Sequence, residues 1–132
     1  MARITQVVAR RLQGGFWELV EPLEYHVGAE DSKEVITVPI GTRTDFASVP
    51  FGFRNLFPKD GDYTPAAIVH DWLYQTVGLN GRFTRERCDE IFLEAMGVVG
   101  VGWIARHTMY RAVRMFGWAP WNGQKKRKTS NR

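Results

Sequence analysis

The chain of 132 residues contains one cysteine, Cys88, so no intramolecular disulfide framework can hold it together. Nowhere does an apolar run approach the ~18 residues that a membrane span needs. The first fifteen residues, MARITQVVARRLQGG, have none of the apolar core of a secretory signal. The expectation is therefore synthesis in a reducing compartment, with assembly into a particle or release by lysis left open. There is no internal repeat and no low-complexity segment apart from the C-terminus. Three histidines and one cysteine make no tetrahedral zinc pattern, and no G-x-S-x-G elbow is present for a serine hydrolase. Acid and base are nearly balanced outside the end of the chain. Lys125, Lys126, Arg127, Lys128 and Arg132 hold five of the 18 basic residues, leaving 13 against 14 acidic ones in residues 1–124.

What is present is enough apolar material, 44% of residues, for one globular domain. It is expected to span residues 1–118, followed by a basic tail over 119–132. The tail has a plain reading as a solvated, disordered end. Its other reading is a dock for an anionic surface, a neighbouring protein or nucleic acid. Five tryptophans are expected mostly in the core, although Trp118 and Trp121 beside the basic run could also seat at a membrane interface or stack on a base.

Strands come first and helices after. The segments FWELV (16–20), LEYHV (23–27) and EVITVP (34–39) are short, rich in β-branched and aromatic residues, and separated by polar turns. They predict a small antiparallel sheet or meander in an α+β domain. Residues 41–63 read as a long irregular loop pinned by Phe46, Phe51, Phe53 and Phe57, a length more often functional than not. Three helices follow. The first runs from about Pro65 to Val77, behind Thr64 as N-cap, and ends at Gly78 and Asn80-Gly81. The second starts after Thr84, with Cys88, Ile91, Phe92, Ala95 and Val99 spaced as a core-facing stripe. The third, about Val101 to Phe116, is apolar on most sides, reads as the scaffold, and has Gly117 placed to end it.

The stretch AAIVHDWLY (66–74) carries the chemistry. His70 and Tyr74, four residues apart, share a helix face, while Asp71 points about 100° round the axis. The six-residue connection GLNGRF favours antiparallel neighbours. Along such a pair His70 lies ~10 Å below the end of the first helix and Asp89 ~6 Å into the second, a mismatch that side chains can bridge. Asp89 is thus expected to orient His70, one ring nitrogen within ~3.2 Å of the carboxylate and the other facing a cavity. A histidine so held is a general base able to activate water against an ester or amide. Asp71 is left to hold a hard cation.

Other assignments compete. His70 and Asp89 could be a structural pair that only fixes two helices. Asp45, in R-T-D-F-A-S, could be a turn residue bonded to its own backbone or part of a rigid loop facing the helices. Ser48 could serve as a nucleophile with His70 and Asp89. A His-Asp phosphohydrolase would need another histidine nearby, from His26 or His107. Cys88, on the apolar stripe, reads as core.

The run A-A-x-x-H-D-x-x-Y over 66–74 resembles the C-C-x-x-H-D-x-C-Y helix of the secreted calcium-dependent phospholipases of the A2 type, with alanines and Leu73 in place of half-cystines. R-C-D at 87–89 is similar to the C-D pair on that family's partner helix. The resemblance implies His70 as general base, Asp89 as its partner, Tyr74 as the buried hydrogen-bonding tyrosine and Asp71 as a calcium ligand. That family completes its calcium cage with a C-G-x-G-G loop and cross-braces its helices with disulfides, and this chain has neither. Any remaining oxygen ligands would come from the long loop, where Asp45, Asp60 and Asp62 are the candidates.

A second resemblance covers more of the chain. The order T-D-F-A-S-V-P, then A-A-I-V-H-D-W-L-Y, then R-x-R-C-D-x-x-F-x-E-A-M-G-V, then Y-R-A-V-R-x-F-G, over about 36–118, is similar to a family of small proteins of tailed phages and prophages known only as a domain of unknown function. It implies a viral origin. Two functions are then expected: a metal-assisted hydrolase of the host envelope, or a non-enzymatic virion or assembly component whose His-Asp cluster is structural.

Overall fold

A computed structural model describes residues 3–15, 17–28, 33–44 and 64–130. The N-terminal part is six short strands: β1 (Arg3–Ile4), β2 (Ala9–Arg11), β3 (Trp17–Leu19), β4 (Leu23–His26), β5 (Val35–Val38) and β6 (Arg43–Thr44). They form two three-stranded antiparallel sheets, ordered β1-β4-β5 and β2-β3-β6. The three expected strands are present as β3, β4 and β5, with β4 one residue shorter at its end and β5 one residue shorter at each end. β1, β2 and β6 are two or three residues long, too short to show the alternation that identifies a strand. Arg43 and Thr44, expected to open the irregular loop, instead pair with Glu18 and Trp17 of β3.

The pleat sets which residues enter the core. Leu23 and Tyr25 of β4 are buried, and their cross-strand partners Val38 and Ile36 of β5 are buried with them. The described residues 64–130 carry the helices: α1 (Thr64–Gln75), a short turn α2 (Val77–Gly81), α3 (Arg85–Val98), α4 (Trp103–Phe116) and α5 (Trp118–Ser130). The sheet β1-β4-β5 packs on α1 and α3. Burial of the Tyr25 hydroxyl is made tolerable by Glu94 of α3, whose carboxylate accepts from it and, at 3.0 Å, from the Gly28 amide.

α3 follows its sequence pattern. Thr84 caps it, its hydroxyl accepting from the Arg87 amide at 3.1 Å, and Cys88, Ile91, Phe92 and Ala95 are buried along one stripe. Met96 joins them, while Val99 sits half-buried just past the end. Burial raises the Cys88 thiol to about 12, which makes it a core residue and not a nucleophile.

The fold is α+β as expected, and the three expected helices are present as α1, α3 and α4, to which α2 and α5 are added among the described residues. Two expectations fail in the helical part. α4 is not the scaffold: it buries only Met109 and Ala112 and leaves Trp103, Ile104, Met115 and Phe116 exposed. The end expected to be disordered is helical to Ser130, because Trp121 is buried against α1 and gives a polar segment a reason to pack.

The link between α1 and α3 is tighter than the sequence suggests. Val77, Gly78, Leu79, Asn80 and Gly81 all have positive φ, from 50° to 98°, so α2 winds left-handed. Thr76 supports it by accepting from the Leu79 amide at 2.9 Å. At Gly78 a Cβ would lie 2.0 Å from the Phe83 carbonyl oxygen. Gly78→Ala is expected to cost about 2 kcal/mol or more, from φ penalty and backbone clash together. Denaturant unfolding reads this directly, and an unchanged midpoint would show that the turn can rearrange freely.

Candidate active site

Three helices meet at Asp89. α1 presents His70 and Tyr74 from one face, α3 presents Asp89 with Arg85 one turn before it, and the last turn of α4 sends in Arg114. His70 meets Asp89 and Phe92, while Tyr74, a turn later, meets Asp89 and Arg85. Contacts that climb one helix as they descend the other make α1 and α3 antiparallel, which brings residues 19 apart in sequence into contact.

The Asp89 carboxylate is fully buried and its two oxygens divide the work. Oδ1 accepts from His70 Nε2 at 2.7 Å and from the Tyr74 hydroxyl at 2.6 Å. Oδ2 accepts from Arg114 Nη1 at 2.8 Å and pairs with Arg85 Nη1 at 3.5 Å. Arg85 also donates to the carbonyls of Val113 and Arg114, at 3.1 and 3.2 Å, so one guanidinium satisfies the end of α4 and balances the buried charge. Gly117 closes this corner, since a Cβ there would stand 2.5 Å from the Tyr74 hydroxyl oxygen.

Burial by itself would push the Asp89 carboxyl up, but the hydrogen bonds from His70, Tyr74 and Arg114 prevail and hold it below the usual carboxylate range. Burial, and then the neighbouring Asp89, push the Tyr74 phenol well above its ordinary value, so it stays a donor. An ionised carboxylate only accepts, which places the proton of a neutral His70 on Nε2 and leaves the lone pair on Nδ1. The imidazole packs on the rings of Tyr74 and Phe92, with centroids at 4.4 and 4.5 Å, and Trp121 of α5 meets Tyr74 edge-on at 5.1 Å. Only 8% of His70 remains exposed.

The structure thus brings His70, Tyr74 and Asp89 together. Asp71 lies on α1, half-buried and engaged in an interaction of its own. Asp45, Ser48, Asp60 and Asp62 lie outside the described residues. His26 is on β4, 3.8 Å from Glu24, and His107 is on α4 against Trp103, so neither joins His70. Among the described residues no three His, Cys, Asp or Glu side chains converge as a metal site. Arg85, Arg114, Gly117 and Trp121 complete the corner and were not expected there. Arg85 was legible as the i, i+4 partner of Asp89, whereas Arg114, 25 residues away, carries no local signal.

No helix among the described residues is long and apolar enough to cross a membrane. No solved structure matches the chain. It is similar to the uncharacterized protein y4jT of Sinorhizobium fredii, with 36% identity over 83 residues, 61% of this chain. The match spans only 23% of that protein's length. The family described as "Protein of unknown function (DUF1353)" matches residues 17–113, well over half of the sequence, and the chain belongs to that family.

Proposed function

We propose that this protein is a hydrolase of an ester or amide of a host envelope, encoded by a phage or prophage, with His70 as general base. The observation that carries the reading is the shared Oδ1 of Asp89. It accepts from His70 Nε2 and the Tyr74 hydroxyl together, which fixes both the ring plane and the tautomer. In the step this supports, Nδ1 takes a proton from water as the water oxygen bonds to the substrate carbonyl carbon. The imidazolium formed is stabilised by Asp89, and its proton goes to the leaving oxygen or nitrogen as the ester or amide bond breaks. A calcium ion held by Asp71 and Asp45 belongs to the same proposal, and no step here is routed through it. The viral setting is supported by the order of motifs from T-D-F-A-S-V-P to Y-R-A-V-R-x-F-G.

A second reading is favoured by the depth of the cluster. Asp89 is fully buried, His70 nearly so, and the carboxylate on α3 joins α1 through His70 and Tyr74 and α4 through Arg114, as a structural keystone in a virion or assembly component would. The test is product release by the full chain from three probes: a p-nitrophenyl ester, phospholipid vesicles and peptidoglycan, each with added calcium and with chelator. Release from any one supports the hydrolase. None from all three would leave the keystone reading standing.

A further inference from the structure

All 14 acidic residues lie in the first 94 positions, beside ten basic ones, whereas residues 95–132 hold eight basic side chains and no acidic one. That one-signed segment is α4 and α5, and it is also where large apolar side chains face water. Trp103, Ile104, Met115, Phe116 and Trp118 are each more than half exposed. Ile104, Arg111 and Met115, spaced by seven and then four residues, share one face of α4. Trp103 stands at its start, and Trp118 opens α5, which carries the exposed Lys125, Lys126 and Arg127.

We propose that the outer face of α4, with the start of α5, is a docking surface for an anionic lipid bilayer. Exposed apolar side chains gain by leaving water and basic ones by meeting negative headgroups, and a bilayer surface offers both at the same depth, with tryptophan favoured at the boundary. The shape agrees. Trp103, Ile104, His107, Thr108 and Arg111 line a half-open depression of about 170 Å³, too small to bury a peptide segment. Nucleic acid accounts for the charge but gives Ile104 and Met115 nothing to bury against. A second copy, face to face, would set the exposed basic side chains Arg111, Lys125, Lys126 and Arg127 against their own copies.

The surface is independent of the hydrolytic reading, because its readout is binding. Full-length protein should co-sediment with phosphatidylcholine vesicles containing phosphatidylglycerol and weakly, or not at all, with phosphatidylcholine alone. Raising the salt should lower binding ~10-fold or more. The double variant Ile104→Ser, Met115→Ser, which alters only exposed positions, should keep its circular dichroism and lose binding ~10-fold or more. A second measurement needs no variant: brominated acyl chains in the same vesicles should quench the tryptophan emission of the unmodified chain. Absence of sedimentation or of quenching would overturn the proposal. So would full binding by the double variant, tighter binding of an oligonucleotide that the double variant retains, or self-association that the double variant abolishes.

Discussion

His70→Gln should reduce hydrolysis of whichever probe is turned over by ~10²–10⁴-fold, the usual contribution of a positioned general base. Glutamine has similar reach and keeps an amide N–H that can face Asp89, but it has no lone pair able to take a proton from water. The melting temperature should move by only a few degrees, since the Tyr74, Arg85 and Arg114 contacts to Asp89 survive. Rate and stability therefore separate the two readings of the cluster. A variant with wild-type turnover and a melting point lowered by ten degrees or more would show that the imidazole is a strut. The paired measurement matters because a drop in rate alone could come from unfolding.

Asp89→Ala should have the largest effect on stability, about 3–5 kcal/mol, because it strands two arginines, a histidine and a buried tyrosine hydroxyl around a missing acceptor. For a domain of this size that corresponds to a midpoint lowered by roughly 10–20 °C. Asp89→Asn tests the charge with little change in volume. The sign of its pH dependence follows from the depressed carboxyl. A carboxyl whose folded pKa lies below its unfolded value of ~3.9 contributes stability that is fully present above that unfolded value and is lost as pH falls through the folded one. The stability difference between wild type and Asp89→Asn should thus be constant from neutrality to mildly acid pH and shrink in strong acid. A difference that instead shrank on going to alkaline pH would mean that the carboxylate is not the group that matters.

Tyr25 and Glu94 show what the sequence leaves hidden. Tyr25 is legible as an inward residue of a strand, and Glu94 as a charged residue on an amphipathic helix. Nothing local says that 69 residues apart they share a hydrogen bond and tie sheet to helix. α4 misleads for a related reason. Its apolar composition reads as burial, yet burial needs a partner surface, and no sequence period tells whether one is supplied from within the chain. The basic end misleads in the opposite direction, because one tryptophan, Trp121, gives its helix an anchor on Tyr74 that average polarity conceals.

By itself the sequence determined what depends on near neighbours. The alternation in β4 and β5, the Thr84 cap, the stripe of α3, and the one-turn spacing that puts His70 and Tyr74 on the same face are all set within a few residues, by backbone sterics and local hydrogen bonds. The pairing of His70 with Asp89 was also within reach, because a short link between two helices limits how they can lie. Only the tertiary structure decided what closes the corner. Arg114 arrives from a third helix, Gly117 lets the backbone pass the Tyr74 hydroxyl, and Phe92 and Trp121 enclose the rings. A buried charge needs counter-charges from whichever elements surround it in space, and that enclosure is fixed by the packing of the whole domain, not by spacing along the chain.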